Sequence, residues 1–168
     1  EGVDRAINII DSTDINNDNI LVVYIPDIHE SLAGIVAGRV KEKYNKPTII
    51  LTKSEEGVKG SARSIEEYNE FEGLLACKEL LDKFGGHPMA AGLSLQEDKV
   101  DELRIALNNK CELTDEDLTR KIMIDSSLPL EYLNLHLIEE LNVLEPFGKG
   151  NAKPVFGVID AKITRAML

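Results

Sequence analysis

The sequence predicts an α/β fold with a mixed β-sheet flanked by helices. Three observations carry this reading. The run Ile20-Leu-Val-Val-Tyr-Ile25 is short, β-branched and closed by Pro26, the pattern of a buried strand. Leu32, Ile35, Val36, Val40 and Tyr44 then recur at helical spacing. Pro47-Thr-Ile-Ile-Leu-Thr52 is a second apolar run, which completes a strand, helix, strand unit.

The remaining elements follow in order. Gly57 to Ser64 reads as a third strand carrying Gly57 and Gly60, and glycine inside a strand marks close approach of another backbone or a ligand. Phe71, Leu74, Leu75, Leu81 and Phe84 predict a second helix, stopped by Gly85-Gly86 as a C-terminal glycine cap. Ala91 to Leu95 is extended, and Val100, Leu103 and Leu107 predict a third helix that completes the domain near residue 113. Thr114 caps an acidic first turn at Asp115 to Asp117. Arg120 to Ser126 alternates as a strand does, and Leu133, Leu137, Leu141 and Leu144 mark a helix ending before Pro146. Phe147 to Pro154 is turn-rich, and Val155 to Ile163 reads as the first strand of a truncated further domain. The expected organisation is a linker at 1–19, the main domain at 20–113, a connecting strand and helix at 114–150, and the opening of the last domain at 151–168.

Composition narrows the function classes. With 168 residues and 43% hydrophobic content the chain can bury a core. No apolar run reaches the roughly 20 residues that cross a bilayer, so no membrane partner and a cytoplasmic location are expected. Cys77 and Cys111 are too few for a disulfide framework and are expected as reduced thiols. The net charge of −11 opposes broad coating of nucleic acid. Between Ser31 and Arg63, however, seven basic residues face three acidic ones, a local +4 that suits a focused anion site.

Two motifs fit such a site. In Gly60-Ser-Ala-Arg-Ser-Ile65, alternation places Ser61 and Arg63 on one face, where a hydroxyl and a forked guanidinium make a phosphate clamp that Ser64 can assist. In Phe84-Gly-Gly-His-Pro-Met-Ala-Ala-Gly92, Gly85 and Gly86 let a backbone meet a phosphate or base, and His87 donates to a phosphate oxygen. A third stretch, Ile28 to Arg39, is a strand-to-helix junction whose Gly34 and Gly38 are expected to allow close packing on the sheet, with His29 structural. The three histidines are scattered, His136 has no partner signal, and no metal-ligand set or nucleophile and base pair stands out, so no metal site is expected in this chain.

Taken together and in order, IHESLAGIVAGRV, KPTIILT, GSARSI, LLACKELLDKFGGHPMAAGLSL and LEPFGKGNAKPVF resemble the RecJ family of single-strand-specific DNA exonucleases over residues 28 to 156. The resemblance implies a DHHA1-like domain, followed by a linker helix and the first strand of an oligonucleotide-binding (OB) barrel. It implies that a DHH domain with a Mn2+ or Mg2+ centre precedes residue 1, and that the substrate is single-stranded DNA with a 5′ phosphate, digested 5′ to 3′ in repair and recombination. Carried over by position, Ser61 and Arg63 fall in the pocket for the 5′ phosphate. Gly85, Gly86 and His87 match the Gly-Gly-His signature facing the metal centre, with His87 the candidate contact to the reacting phosphate. The chain departs from the family pattern at Ile28, usually aromatic, and at Ser31, usually glycine. Two other readings stay open on sequence alone. One is a DHH/DHHA1 phosphoesterase of short RNA or cyclic dinucleotides, which the late PFGKGNAKPVF stretch disfavours. The other is a non-enzymatic nucleic-acid-binding or interaction module.

Overall fold

Alternation along the strands decides the layering. The structure is a computed structural model that describes residues 1–162, 164 and 165, and Glu1–Arg120 and Lys121–Leu168 form two compact units. In the first unit, β1 (Leu21–Tyr24), β2 (Thr48–Ser54), β3 (Gly57–Arg63), β4 (Lys83–His87) and β5 (Ala90–Leu95) make a five-stranded sheet in the order β1-β2-β3-β5-β4. β1 and β2 are parallel, joined by helix α2 (Glu30–Tyr44), and the other pairings are antiparallel.

Each face of the sheet has its own core. Leu21, Val23 and Ile50 pack under α1 (Gly2–Ser12) and α2, against Ala6, Ile10, Ala33, Val36, Ala37 and Val40. Val22, Ile49, Leu51, Val58, Ala62, Leu93 and Leu95 pack on the opposite face, under α3 (Glu70–Leu75) and α4 (Val100–Asn109) through Leu74, Leu103 and Leu107. Fully burying a leucine such as Leu103 contributes about 2 kcal/mol. The stretch 1–19 thus holds a helix whose Ala6 and Ile10 are completely buried.

Helix α2 departs from the apolar stripe that its spacing predicts. Its buried face is Ala33, Val36, Ala37 and Val40, while Leu32 and Ile35 are 46% and 63% exposed. The spacing of the small residues sets the face, because they let the helix sit close to the sheet. His29 caps the helix, its Nδ1 accepting from the Ser31 N–H at 3.3 Å. Asn45 in the left-handed region ends it, donating its N–H to the Lys41 carbonyl at 2.8 Å.

The larger correction concerns Gly85-Gly86, which do not cap a helix. The helix expected through Phe84 stops at Leu75, a 3₁₀ turn covers Lys78–Leu80, and both glycines lie within β4. Tertiary pairing overrides the local helix-stop signal. Phe84 lies opposite Leu93 in the ladder and meets Phe71 at 5.8 Å between ring centres, so the apolar spacing is shared among helix, turn and strand. Pro88 and Met89 close the β4–β5 hairpin, and their carbonyls accept from Glu70 and Ser64 N–H groups, each at 3.0 Å. The third helix and the Thr114 cap follow expectation: α4 buries Leu103 and Leu107, and Thr114 and Asp117 cap α5 (Asp115–Leu118) reciprocally.

In the second unit, β6 (Ser126–Ser127) pairs in parallel with β7 (Phe156–Gly157), and α6 (Leu135–Leu141) starts at Asn134, whose side chain accepts from the Leu137 N–H at 3.0 Å. The strand expected over Arg120 to Ser126 shrinks to its last residue and Ser127, and that over Val155 to Ile163 to Phe156–Gly157, with Ile163 outside the described residues. Two short strands pairing only with each other, among the described residues, give alternation nothing longer to register against. The turn-rich stretch holds a bridge between Gly148 and Asn151.

Glu70 generates a prediction about stability. Its side chain is fully buried behind the hairpin, and burial pushes its carboxyl up to about 8 against a weaker opposing effect of Ser64. Among the described residues neither carboxyl oxygen has a hydrogen-bond partner, and the Ser64 hydroxyl donates to the Tyr68 carbonyl at 2.8 Å. The folded state therefore holds a proton that the unfolded chain releases above its ordinary 4.5, and stability falls as pH rises from about 4.5 to about 8, levelling beyond. Glu70→Gln is expected to flatten that slope and raise the unfolding midpoint at pH 8. Urea unfolding at pH 5, 6.5 and 8 measures it; parallel pH profiles for both proteins would rule it out.

Candidate nucleic-acid interface

The ladder register sorts the central strands into two sets of rows. On the α3/α4 side run Ile49, Ala62, Ala91 and Gly86, and beside them Leu51, Gly60, Leu93 and Phe84. On the other face run Thr48, Arg63, Ala90 and His87; then Ile50, Ser61, Gly92 and Gly85; then Thr52, Lys59, Ser94 and Lys83. Helix α2 lies over the β2–β3 part of this second face and leaves β5 and β4 open, where Lys83, Gly85, His87 and Gly92 are all exposed. The result is a polar shelf bearing Arg63, His87, Ser61, Lys59, Ser94 and Lys83, floored by glycine.

Ser61 and Arg63 come together as their spacing predicts. The Arg63 guanidinium donates from Nη1 to the Ser61 hydroxyl at 3.0 Å and to the Ala62 carbonyl at 2.7 Å. Among the described residues it has no carboxylate partner, so none of them neutralises its charge. That leaves a held but uncompensated guanidinium, the arrangement that receives an anion.

His87 stands in the Arg63 row, two strand spacings away, roughly 10 Å of sheet. Its Nδ1 accepts from the Met89 N–H at 3.3 Å, which puts the ring proton of the neutral imidazole on Nε2. Gly85 lies on the same face with open space where a side chain would stand. Gly86 does not: a Cβ there would come within 2.8 Å of the Ala91 Cβ on the core side, so its role is to let β4 lie against β5. Ser64 is set apart from the shelf altogether, being 1% exposed and committed to the Tyr68 carbonyl. It follows Arg63 directly, and one step along a strand turns a side chain to the other face.

Helix α2 closes one side of the shelf. The Thr52 hydroxyl donates to the Ile28 carbonyl at 2.6 Å, and Arg5 pairs with Asp27, so the loop into the helix is fixed from both neighbours. Gly34 then comes so near the clamp that a Cβ would lie 2.7 Å from Arg63 Nη2 and 3.1 Å from Ser61 Oγ. Gly38, expected to share that packing, has nothing within 4 Å. Between the start of α2 and the sheet opens a cleft of about 510 Å³, lined by Glu30, Ser31, Ala33, Lys59, Ser61 and Ser94 among others. Lys59 donates to Glu30 at 3.0 Å, which raises its ammonium above the usual lysine range. Sequence reasoning misses Lys59, Lys83 and Ser94 as neighbours of the clamp; the signal lies in alternation, but it needs the register of β3, β5 and β4 to be read.

Among the described residues no group of three or more His, Cys, Asp or Glu side chains is placed to hold a metal ion, and no helix is long and apolar enough to cross a membrane. His136 is exposed, 3.8 Å from Glu140.

Residues 17–113 match the DHHA1 domain family, and residues 124–168 match the RecJ OB domain. The chain belongs to the DHHA1 family. RecJ of Bacillus subtilis, a single-stranded-DNA-specific exonuclease, is 38% identical over 155 residues, covering 90% of this chain and 20% of the relative. The corresponding Haemophilus influenzae protein is 34% identical over 143 residues, 81% of this chain and 25% of the relative. The crystal structure of Thermus thermophilus RecJ in complex with Mn2+ superposes with a TM-score of 0.79 at 26% identity, covering 94% of this chain and 23% of that one. Both domain matches and these relatives make this DHHA1 chain similar to a stretch of RecJ proteins, and it has the mixed α/β fold expected from that likeness. It spans a fifth of the length of the Bacillus subtilis relative and a quarter of that of the Haemophilus influenzae one.

Gly34 tests the clamp's geometry without unmaking the fold. The atom a new Cβ meets most closely is the far end of the Arg63 side chain, and alanine in a helix is worth about 0.5–1 kcal/mol over glycine. Gly34→Ala is expected to leave thermal stability within about 1 kcal/mol of the parent while weakening anion binding at Arg63 several-fold. Calorimetry beside a phosphate-ended oligonucleotide titration measures both; unchanged binding would mean that Arg63 does not depend on the α2 wall.

Proposed function

We propose that this DHHA1 chain is the strand-holding part of a single-stranded-DNA-specific exonuclease that removes nucleotides 5′ to 3′, serving DNA repair and recombination. The observation that carries the reading is the Arg63 guanidinium, steadied by Ser61 and free of any carboxylate among the described residues. In this reading Ser61 and Arg63 receive the 5′ phosphate, and the outward Nε2–H of His87 donates to the reacting phosphate one nucleotide away. Gly85 supplies a floor without a side chain, and Gly86 holds the strand that carries His87. A separation of roughly 10 Å between the two positions suits consecutive phosphates reached by one long and one short side chain.

The chemistry of cleavage belongs to the rest of such an enzyme. Solved RecJ relatives are complexes with Mg2+ or Mn2+. The described residues form no set that fits either ion, so the metal would sit in a DHH domain outside this chain, and the present residues bind and orient the strand. Ser64 has no part in the grip. The organisation that goes with this function is a DHHA1 domain over 20–113, a connecting segment over 114–150 and the start of an OB barrel from 151.

Binding of a short 5′-phosphorylated single-stranded DNA to the chain at low salt tests the proposal. Arg63→Ala is expected to weaken binding about ten-fold and to lower the salt slope by about one phosphate contact, matching the loss seen on removing the 5′ phosphate. His87→Ala is expected to weaken the phosphorylated and unphosphorylated strands alike. Indifference of the parent to the 5′ phosphate, with Arg63→Ala silent, would sink the assignment.

A further inference from the structure

The cleft beside the clamp is not explained by phosphate binding. It shares Ser61 with the clamp but extends away from Arg63 and His87, along the rows through Gly92 and through Lys59, Ser94 and Lys83. A ligand whose phosphate rests on Ser61 and Arg63 has this space open to a group that branches from the strand beside that phosphate. Resting on the reading above, we infer that the cleft is the pocket for the terminal nucleoside, and that it holds the base of the nucleotide about to be released.

Its lining suits a base better than a second phosphate. The floor is flat and lacks side chains: Gly92 would direct a Cβ into open space, its nearest neighbour being the Gly60 carbonyl at 3.9 Å. Ala33 and Leu93 also line it. About 510 Å³ falls in the range of small-ligand sites. The two sides differ in polarity. On the sheet, Lys83 and Ser94 lie opposite one another in the ladder, exposed and half-buried, and among the described residues Lys83 makes no ion pair. They offer donors. On the helix, Glu30 and Ser31 offer acceptors: the Ser31 hydroxyl is 2.8 Å from His29 Nδ1, which already accepts from the Ser31 N–H, so the hydroxyl donates there and turns its lone pairs outward. Every nucleobase carries both donors and acceptors along its edge, and a flexible lysine opposite a flexible glutamate receives them without choosing among the bases. A phosphate, by contrast, would meet the Glu30 carboxylate across Lys59.

Ser31 and Glu30 belong to the first turn of α2, so the helix that walls the clamp through Gly34 also provides the acceptor side of the pocket. One rigid element would then set the distance between the terminal phosphate and its base.

The test is equilibrium binding of two 5′-phosphorylated strands to the full chain, identical except that one carries an abasic residue at the 5′ end. The parent is expected to bind the abasic-ended strand about ten-fold more weakly, the scale of one hydrogen bond to a charged group or one lost base contact. Lys83→Ala is expected to lower affinity for the ordinary strand to nearly the abasic level and to leave the abasic-ended strand unchanged. Arg63→Ala, in contrast, weakens both strands. Equal binding of the two strands by the parent would overturn the pocket, as would a Lys83→Ala loss of equal size on both, which is a general charge effect. If Arg63→Ala and removal of the 5′ phosphate are silent while Lys83→Ala still discriminates the strands, the clamp assignment fails and the base pocket stands. Failure of the parent to bind either strand overturns both.

Discussion

Strand register is the constraint on which the rest of the molecule depends. β3 is paired on both sides, and the same alternation that buries Val58 and Ala62 presents Lys59, Ser61 and Arg63 on the opposite face. A slip of one residue against either neighbour would exchange the two sets, driving Arg63 toward the leucine layer and Ala62 onto the shelf. Two glycines hold the register where side chains would forbid it. At Gly60 a Cβ would stand 2.9 Å from the Ile50 carbonyl and press on the Leu51 and Leu93 side chains. At Gly57 the backbone has φ of +112°, and a Cβ would lie 2.8 Å from the Leu95 carbonyl. The apolar packing of the hidden face and the chemistry of the open one are therefore a single specification.

The helix that seals the other core also limits the shelf. α2 approaches closely because its buried positions are alanine and valine, and because Thr52 and Asp27 secure the loop before it. Wider residues at Ala33 or Ala37 would lift the helix and with it the wall that meets Arg63 at Gly34. Its charges serve mostly elsewhere. Arg39 pairs with Glu42, Lys43 approaches Asp11, and the Lys46 ammonium donates to the carbonyls of Asn16 and Asp18 at 3.0 and 2.7 Å. Of the basic run that marks this region of the sequence, Lys59 and Arg63 are the members that reach the shelf.

How much of the site is legible in the sequence depends on whether a local or a non-local fact decides each position. Ser61 and Arg63 are legible, because period two is a local property of a strand and fixes their common face whatever the strand pairs with. His87 stands out with its glycines, but their backbone reads as a turn after a helix, since Gly-Gly following Leu81 and Phe84 is a strong local stop and the ladder to β5 is not a local fact. Ser64 marks the limit of reasoning from neighbours: the alternation that places Arg63 correctly puts the adjacent side chain on the wrong face for the clamp. Lys83 and Ser94 are illegible, because their neighbourhood with Lys59 arises from three strands that only the folded sheet brings together. The exposure of Leu32 and Ile35 is hidden for a related reason: periodicity marks an apolar stripe, but the smaller residues decide which edge of it meets the sheet.

An open shelf has one wall, and that bears on how strongly it can hold anything. In water near physiological salt, charges on an exposed surface are screened over about 8 Å, and a guanidinium there contributes modestly to binding. The same group excluded from water is worth considerably more. The surface features agree with a site completed by something that covers it. Gly85 and Gly92 keep a floor without side chains, which water does not require but a close-fitting ligand does. His87 is exposed with its Nδ1 occupied by the Met89 N–H, and Arg63 is steadied by Ser61 with no carboxylate partner among the described residues. Under the proposed function the strand lies on this floor and the metal-bearing lobe supplies the second wall. Affinity, water exclusion and the placement of the reacting phosphate then arise together on closure, and the division of the enzyme into a part that holds and a part that cuts follows from the one-sided geometry of the sheet.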